Sequence, residues 1–403
     1  MSKSNETTPN VPTLRFAEYT DEWHKFALSD FVTRITRRNK NNESSLPLTI
    51  SAQYGLVDQI TFFNKTVASV DLSGYYLLYN GDFAYNKSYS NDYAWGAVKR
   101  LDKYEKGCLS SLYFVFRPTD KVDSDYLTHY FETNKWHKGI SDIAGEGARN
   151  HGLLNMSVDD YFATKHYLPT LPEQRKIADF LNLIVKRIEI QNKIIEDLKV
   201  LKKELCNKFF NSSCCDSEIK VREVARVYGG YAFSSKTYVD NGQYKIITIG
   251  NVTGEHFISG KYNTVDCLPQ NIQEQQILDN GDILISLTGN VGRISLVKGN
   301  NFLLNQRVAK LAIEDKALKD YVYQYLSHSS FEKDMQNAGQ GAAQKNIKNE
   351  DILSYNIRIP SEKAVLENIV NLCLICDKKI ENETKIMACL QYQKAYFLNA
   401  MFI

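Results

Sequence analysis

A heptad pattern runs through residues 171–210, and only the polar residues Gln191 and Lys202 break its apolar seam. Its seam positions alternate spacings of four and three residues, which is the period of a helix that packs lengthwise against another helix. Pro172 and Glu173 suit the first turn, because proline loses no hydrogen bond there and the helix dipole favours an anion. Such a helix is roughly 57 Å long and needs a partner. The seam positions are Ile177, Leu181, Ile184, Ile188, Gln191, Ile195, Leu198, Lys202, Leu205 and Phe209.

The partner helix is predicted in the same chain. A second seam lies 192 positions later, with Glu383 and Lys394 at the steps where the first has Gln191 and Lys202. The chain is therefore an internal duplication. A parallel pair would place both lysines in one layer, whereas an antiparallel pair places each near a helix end, where it can reach water. We predict an antiparallel coiled coil. The second seam comprises Ile369, Cys373, Cys376, Ile380, Glu383, Met387, Leu390, Lys394, Phe397 and Met401.

Composition agrees with two domains in addition to these helices. The chain has 403 residues, of which 43% are hydrophobic, and a formal net charge of +2, so no global field indicates nucleic-acid binding. No apolar run is long enough to span a bilayer, and no signal sequence precedes the eight cysteines, so we expect reduced thiols in a cytoplasmic protein. Cys373 and Cys376 form a CxxC, but both occupy seam positions. The second CxxC or histidine pair that a zinc site would need is missing, which favours core packing over a metal or redox site.

The elements follow the same order in both repeats. The first repeat has strand-like runs near 47–52, before Gly81, and over 108–117, then a helix over 125–137 capped by Ser124. Trp23 and Phe26 are predicted core anchors. We predict an α+β fold in which two similar domains, related by a pseudo-two-fold axis, are separated by the coiled coil. The predicted ranges are an N-terminal tail (1–17), a first head (18–168), a long helix (169–210), a linker (211–217), a second head (218–360) and a second long helix (361–403).

The polar surface segments differ between the heads. Residues 84–100 after the first Gly-Asp pair are rich in Tyr, Asn and Ser, whereas 283–296 after the second contain the turn sequence TGNVG. These side-chain types hydrogen-bond base edges and phosphates. The alternative for each residue is that it caps a turn or, for the arginine cluster, lies in a solvated loop. Candidate DNA contacts are Arg34, Arg37, Arg38, Lys87, Ser88, Tyr89, Asn91 and Tyr93 in the first head and Thr288, Asn290, Arg293, Asn305, Gln306 and Arg307 in the second.

Motifs for catalysis are absent from the sequence. It contains no methylase Asn-Pro-Pro-aromatic motif, no Walker loop and no HExxH. His166 is predicted to be structural rather than catalytic. The residues therefore predict a binding protein, and two heads on a rigid spacer suit two DNA half-sites roughly one helical turn apart. The alternative is a coiled-coil scaffold whose two heads bind proteins.

Several segments together resemble a known family. LRFAEYTDEW near the start, NGDFAYNKS with GAVKRLDKYEKG, LPEQRKIADFL, and NGDILISLTGNVG with NQRVA are similar to the specificity subunits of type I restriction-modification systems. This resemblance covers nearly the whole chain. It implies two target recognition domains, each reading one half of a split duplex-DNA target, and a subunit that is not itself catalytic.

The resemblance also implies partners. Two methyltransferase subunits would dock on the helical regions, for which Gln174 and Arg175 are candidate contacts, and restriction subunits would add translocation and cleavage. No cofactor is expected on this chain, since S-adenosylmethionine, ATP and Mg belong to the partner subunits, and no membrane is involved. The second helical region departs from the pattern, because IPSEKAVLENI lacks equivalents of Gln174 and Arg175.

Overall fold

A computed structural model of the chain describes residues 10–65, 67–90, 92–145, 152–327, 329–338 and 345–403. The chain divides into two compact units. Unit 1 comprises Met1–Gln191 and Ile386–Ile403, and unit 2 comprises Asn192–Lys385. Each unit therefore contains one head together with a part of each long helix.

Unit 1 contains short strands and helices that precede the first long helix. Its strands are β1 (His24–Ala27), β2 (Val32–Arg34), β3 (Leu48–Ser51), β4 (Gly55–Asp58), β5 (Tyr76–Tyr79), β6 (Phe83–Asn86), β7 (Ala97–Arg100), β8 (Lys106–Leu109), β9 (Phe114–Pro118) and β10 (Lys165–Leu168). Its helices are α1 (Leu28–Phe31), α2 (Gln59–Phe63), α3 (Ser124–Tyr130), α4 (His137–Ile143), α5 (Val158–Ala163) and the start of α6 (Leu171–Phe210).

Unit 2 follows the same plan. Its strands are β11 (Ser217–Lys220), β12 (Arg226–Gly229), β13 (Tyr244–Ile247), β14 (Asn263–Val265), β15 (Ile277–Leu278), β16 (Ile283–Ser286), β17 (Ile294–Leu296), β18 (Phe302–Leu304), β19 (Val308–Ala312) and β20 (Asn356–Ile359). Its helices are α7 (Lys316–Leu326), α8 (Ser329–Ala338), α9 (Asn349–Leu353) and most of α10 (Lys363–Ala400).

The sheets show that the repeats share one topology. A four-stranded antiparallel sheet has the order β2-β9-β6-β7 in unit 1 and β12-β19-β16-β17 in unit 2. Each head also has a two-stranded ribbon that joins its first and last strands, β1 with β10 and β11 with β20. A parallel pairing of β13 with β18 has its counterpart in a parallel bridge between Pro47 and Cys108. The predicted duplication is confirmed strand by strand.

The tight turn before β6 and β16 is the same in both repeats. Gly81 and Gly281 each adopt φ +86°, a conformation that only glycine adopts without strain. The backbone N–H of Tyr79 donates to Asp82 (2.8 Å), and that of Asp279 donates to Asp282 (2.9 Å). The Asn-Gly-Asp sequence thus fixes where the central strand of each head begins.

The long helices pack through the predicted seams. Every seam residue of both helices is buried or half-buried. In unit 1 the rings of Phe180 and Phe397 lie 4.9 Å apart, so an early part of α6 contacts a late part of α10. In unit 2 the Sγ atoms of Cys206 and Cys373 lie 3.9 Å apart, so a late part of α6 contacts an early part of α10. Both pairings are antiparallel, and the predicted α+β fold class with its antiparallel helices is confirmed.

The environment predicted for the seam lysines was wrong. Lys202 donates to Asp377 (2.6 Å) rather than reaching water, and Asp377 is 7% exposed. Lys394 donates to Glu132 of the first head (2.8 Å). Both cations are therefore neutralised inside their own units, because a lysine in a helix interface is stable when a carboxylate accompanies it.

Other local predictions need correction. The helix predicted over 125–137 ends early: α3 stops at Tyr130, α4 begins only at His137, and the cap is Asp123, which accepts from the N–H of Asp125 and Tyr126. Trp23 is buried as predicted, but Phe26 is 40% exposed, because β1 pairs only with β10 and leaves one face open. The run 108–117 forms the ends of β8 and β9 with a turn between them.

Two side-chain predictions are confirmed. His166 is buried between Tyr130 Oη (2.8 Å from Nδ1) and Thr164 Oγ1 (2.8 Å from Nε2), and burial lowers its pKa to about 4. Cys373 is a core residue. Among the described residues, no helix has the length and apolar character needed to cross a bilayer.

Candidate nucleic-acid interface

Each head anchors its central strand on a buried carboxylate. In unit 1 Asp82 receives Arg37 Nη2 (2.9 Å) and Arg117 Nε (2.6 Å). In unit 2 the equivalent Asp282 lies 2.6 Å from Lys310 Nζ. All three cations come from other strands or loops of the same head as their carboxylate, so the carboxylate ties the start of the central strand to its neighbours. The opposite end of that strand is the end that carries the predicted DNA contacts.

The chain leaving that opposite end is held by the same backbone frame in both heads. In unit 1 the N–H of Tyr89 donates to Gly152 O (3.0 Å), and the N–H of Leu154 donates to Lys87 O (2.9 Å). In unit 2 the N–H of Gly289 donates to Lys345 O (3.0 Å), and the N–H of Ile347 donates to Leu287 O (3.0 Å). Antiparallel bridges join Ser88 to Leu153 and Thr288 to Asn346. Each head thus has two short segments joined by hydrogen bonds, 87–89 with 152–154 in the first head and 287–289 with 345–347 in the second. We call them the paired segments.

Identical hydrogen bonding thus presents different side chains in the two heads. The inner anchors are alike, because Leu154 and Ile347 are both buried. The other positions differ, since Tyr89 in the first head occupies the position that Gly289 takes in the second. A constant frame with variable side chains is suited to recognising two different surfaces.

The predicted contacts of the first head fall into two groups. Ser88 is exposed, Tyr89 and Tyr93 are half-buried, and Lys87 Nζ lies 5.3 Å from the centroid of the Phe114 ring. These residues occupy the segment after β6, where Gly96 (φ +78°) packs so closely that a Cβ would lie 2.1 Å from Asn86 O. Asn91 lies outside the described residues.

The arginine cluster of the first head lies elsewhere in that head. Arg34 is exposed on β2. Arg37 is bound to Asp82 and stacks 4.2 Å from the centroid of the Tyr79 ring. Arg38 donates to Gly74 O and stacks 4.5 Å from the centroid of the Tyr76 ring. Two of the three arginines therefore have intramolecular partners, and no contact joins the cluster to the paired segments among the described residues.

The structure brings the predicted contacts of the second head together. Leu287 accepts from Ile347 N and donates its own N–H to Arg307 O (3.0 Å), so 287–290 lies between 305–307 and 345–347. Thr288 is nearly buried, whereas Asn290, Gln306 and Arg307 are exposed. Arg293 pairs with Glu332 (3.2 Å), and Asn305 forms a bridge with Tyr231. TGNVG forms a turn between β16 and β17 in which Gly289 (φ +75°) and Gly292 (φ +79°) adopt left-handed conformations.

Lys345 and Asn346 were not predicted from the sequence. Both are exposed and follow directly from the glycine-rich segment 339–344. Hydrogen bonds to residues far away in the sequence place them beside Thr288. The one available signal was that a glycine-rich segment precedes this position in both repeats, at 145–152 and at 339–346.

A cleft lies beside Tyr93 in unit 1. Its volume is about 560 Å³, and its lining combines apolar side chains with Lys99, Glu132 and Lys394. Burial opposes ionisation of Glu132, but the nearby His129 ring (Nδ1 3.9 Å from the carboxylate) and the charges of Lys394 and Lys99 outweigh it and lower the pKa of Glu132 to about 2. Burial lowers the pKa of Lys99. The cleft therefore holds a cluster of charged groups beside apolar surface.

Polar contacts fix each head on its helices. In unit 1 Asn182 of α6 hydrogen-bonds His129 (2.8 Å) and Asp125 (2.9 Å) of the head. In unit 2 Asp377 of α10 accepts from Gln324 (2.6 Å), and Glu381 accepts from Lys298 (2.6 Å). These bonds hold each head in a defined orientation to the helix that carries it.

The two candidate docking residues have different environments. Gln174 is 1% exposed, and its side chain accepts from Asp123 N (2.8 Å) and donates to Pro169 O (2.9 Å). Arg175 is exposed. Next to them Glu173 is buried and receives Arg15 through two hydrogen bonds of 2.7 and 2.8 Å.

Exposed apolar side chains recur at matched positions of the long helices. Leu183 and Ile375, Ile194 and Ile386, and Val200 and Tyr392 are pairs separated by 192 positions, and all six are exposed. Unit 1 carries Leu183, Ile386 and Tyr392, and unit 2 carries the three counterparts. Each unit therefore displays exposed apolar residues at the same three matched positions on its part of the helices.

Comparison with known proteins identifies the class. Residues 217–390 match the family model described as type I restriction modification DNA specificity domain. The MjaVIII type I restriction enzyme specificity subunit of Methanocaldococcus jannaschii is 24% identical over 327 residues, which cover 74% of each chain. A putative MjaX type I restriction enzyme specificity subunit of the same organism is 24% identical over 271 residues, which cover 63% of each chain.

Solved structures agree on the fold. The S subunit of a type I restriction-modification system from M. genitalium has a TM-score of 0.55 at 15% identity, covering 98% of this chain and 99% of its own. A chain from a type I restriction-modification system studied for complex assembly and conformational transition has a TM-score of 0.53 at 16% identity. The match covers 94% of this chain and 96% of that one.

The duplicated heads on antiparallel helices, together with the matched domain, define a DNA-specificity protein. Residues 217–390 carry the DNA specificity domain of type I restriction-modification systems, and the chain as a whole is similar to their specificity subunits. These relatives are named specificity subunits, not methyltransferases or endonucleases, in agreement with the predicted non-catalytic role.

Proposed function

We propose that each head reads one half of a bipartite duplex-DNA target. The observation that carries this proposal is the pair of identical backbone frames that carry different residues, Ser88 with Leu153 in one head and Thr288 with Asn346 in the other. Direct readout needs hydrogen-bond donors and acceptors that are precisely placed and that differ from one target to the next. The shared backbone frame provides the placement, and the different residues on it provide the variation.

Within each head the candidate contacts have separate roles. In the second head Asn290, Gln306 and Arg307 are exposed beside the paired segments, and Thr288, Arg293 and Asn305 shape that surface. In the first head Lys87, Ser88, Tyr89, Asn91 and Tyr93 serve the reading surface. The exposed Arg34 contacts phosphate, whereas Arg37 and Arg38 hold the fold, because both already have intramolecular partners.

The nearly neutral charge of the chain suggests that partners supply much of the phosphate grip. A net charge of +2 provides little nonspecific attraction, because affinity for duplex DNA grows with the number of phosphates that cations neutralise. The isolated subunit should therefore bind DNA weakly. With methyltransferase subunits present, binding should be strong and should fall steeply as salt is raised.

Two methyltransferase subunits dock on the helices in this proposal. Two copies of one partner need the same surface twice, and the exposed apolar set that includes Leu183 in unit 1 and Ile375 in unit 2 is the feature that the repeats share. Arg175 is available to a partner, whereas Gln174 acts inside unit 1. S-adenosylmethionine, ATP and Mg belong to the partner subunits, restriction subunits complete the assembly, and the complex acts in the cytoplasm.

Docking is tested by the stoichiometry of the purified complex. Leu183→Asp and Ile375→Asp should each reduce the methyltransferase content from two copies to one in native mass spectrometry, since a carboxylate in an apolar contact is costly. The control is Leu112→Asp, at an exposed position in the first head. Two retained copies in both helix variants would refute docking on these residues.

Target recognition is tested by selection from a library of random duplexes. The complex of this chain with its methyltransferase should enrich two short motifs separated by a fixed spacer. A single continuous motif would contradict reading by two heads. No enrichment at all would favour a scaffold whose heads bind proteins.

A further inference from the structure

We infer that residues 345–347 of the second head and their counterparts 152–154 of the first form the second half of each DNA-reading surface, with Asn346 a specificity-determining residue. This inference rests on the proposed function. It deepens that function by adding residues that no motif in the sequence indicates. The evidence is the place of these residues beside the central strand of each head.

The geometry of the second head places Asn346 next to the candidate contacts. Asn346 forms an antiparallel bridge with Thr288, and the hydrogen bonds on either side of that bridge are both 3.0 Å. Ile347 is 5% exposed and packs in the core of the head, so it fixes the segment from within. Lys345 and Asn346 are exposed. The anchored backbone therefore holds two polar side chains at the surface.

The chemistry of these two side chains suits DNA. An asparagine amide offers donors and an acceptor in one plane, which matches the N6 and N7 edge of adenine in the major groove. A lysine ammonium neutralises a phosphate without regard to sequence. Asn346 is therefore assigned to base recognition and Lys345 to the backbone of the same half-site.

The first head presents other chemistry on the same frame. Gly152 and Leu153 take the positions of Lys345 and Asn346. Leucine offers an apolar contact of the kind that recognises the methyl group of thymine. Leu153 is half-buried, while Leu154 is buried, like its counterpart Ile347.

The contrast between the repeats distinguishes DNA from a protein partner. Two copies of the same methyltransferase would require similar chemistry at matched positions, as the exposed apolar residues of the helices provide. The paired segments keep the backbone and change the side chains. That is the pattern expected where the heads meet different half-site sequences.

The test is target selection with single variants of the full complex. Asn346→Ala, purified with the methyltransferase, is compared with the unaltered complex on a library of random duplexes. We expect loss of preference at one or two positions of one half-site, by about five- to 150-fold per position, with the other half-site unchanged. Lys345→Ala should weaken binding to all sequences alike and reduce the salt dependence by about one phosphate contact.

The matched control is Asn356→Ala. Asn356 is an exposed asparagine of the same head on β20, where its amide donates to Glu218 (2.7 Å). This variant should retain the complete motif. Thermal unfolding of all variants checks that the head remains folded.

Two failures are distinguishable. If the unaltered complex yields no two-part motif, the proposed function is wrong. If it yields one and Asn346→Ala retains the preference at every position, the proposed function stands and the role of Asn346 is refuted. A change in both half-sites would also overturn the inference, because the frame belongs to one head.

Discussion

The buried ion pair at the start of α6 gives a stringent test of how unit 1 is stabilised. Arg15 donates to Glu173 through Nε (2.7 Å) and Nη2 (2.8 Å), and the indole N–H of Trp23 adds a third bond to the same carboxylate (3.3 Å). The Glu173 side chain is 1% exposed and that of Arg15 13%. Arg15→Met removes the guanidinium and leaves the Glu173 carboxylate buried. Of the two side chains that donate to it here, only the Trp23 indole remains.

The expected cost follows from this burial. Removing one partner of a buried pair typically costs about 3–5 kcal/mol, because an uncompensated charge remains in the interior. The double variant Arg15→Met with Glu173→Gln removes that charge and should recover part of the loss, since a neutral amide costs less to bury. Lys176→Met is the control, because it breaks an exposed pair with Glu18 one turn along the same helix and should cost about 1 kcal/mol or less.

Tryptophan fluorescence is a convenient assay for these variants. The chain has three tryptophans, and Trp23, Trp95 and Trp136 all belong to unit 1. Denaturant unfolding followed by fluorescence therefore reports on this unit. If Arg15→Met cost no more than Lys176→Met, or if the double variant were less stable than Arg15→Met alone, the assignment of a buried stabilising pair would be refuted.

Three further predictions concern the same unit and the same assay. Leu181→Ala, at a fully buried seam position, should cost about 2–5 kcal/mol, whereas Leu183→Ala, at a position 68% exposed, should change stability by about 0.5 kcal/mol or less; equal effects would contradict the seam. Because the pKa of His166 is lowered to about 4 by burial, the unfolded chain binds a proton near neutral pH that the folded chain does not, so this residue's contribution is complete above pH 6.5 and is lost as the pH falls. That loss is about 1.5 kcal/mol between pH 6.5 and 5, and it should disappear in His166→Gln; an unchanged pH slope in that variant would contradict it. Gly96→Ala should destabilise by about 2 kcal/mol or more, since its Cβ would meet Asn86 O at 2.1 Å, and Gly74→Ala, with nothing within 4 Å, is the control that should remain near the unaltered stability.

Regular periodicity explains which parts of the fold could be predicted. The helices α6 and α10 are long, and their burial repeats every three or four residues, so the sequence records both the helix and its buried face. The lysines at matched steps indicated the antiparallel direction correctly. Their partners, Asp377 and Glu132, could not be predicted, because no periodicity links a seam residue to the carboxylate that covers it.

The candidate site was harder to predict for a related reason. Arg37 looked like a phosphate contact because it stands in a basic cluster, yet Asp82, which binds it, lies 45 residues later. Asn346 was missed because its place beside Thr288 depends on hydrogen bonds between segments far apart in the sequence. Local composition indicates which side chains are polar, whereas the pairing of distant segments decides which of them share a surface.

Exchange of one head tests most directly the claim that a single chain reads DNA at two places. Residues 18–168 are replaced by the corresponding head of another specificity subunit, the chimera is expressed with the methyltransferase, and methylated bases are mapped across the host genome. One half of the recognised sequence should change, while the other half remains as before. A change in both halves, or in neither, would contradict the assignment of one head to one half-site.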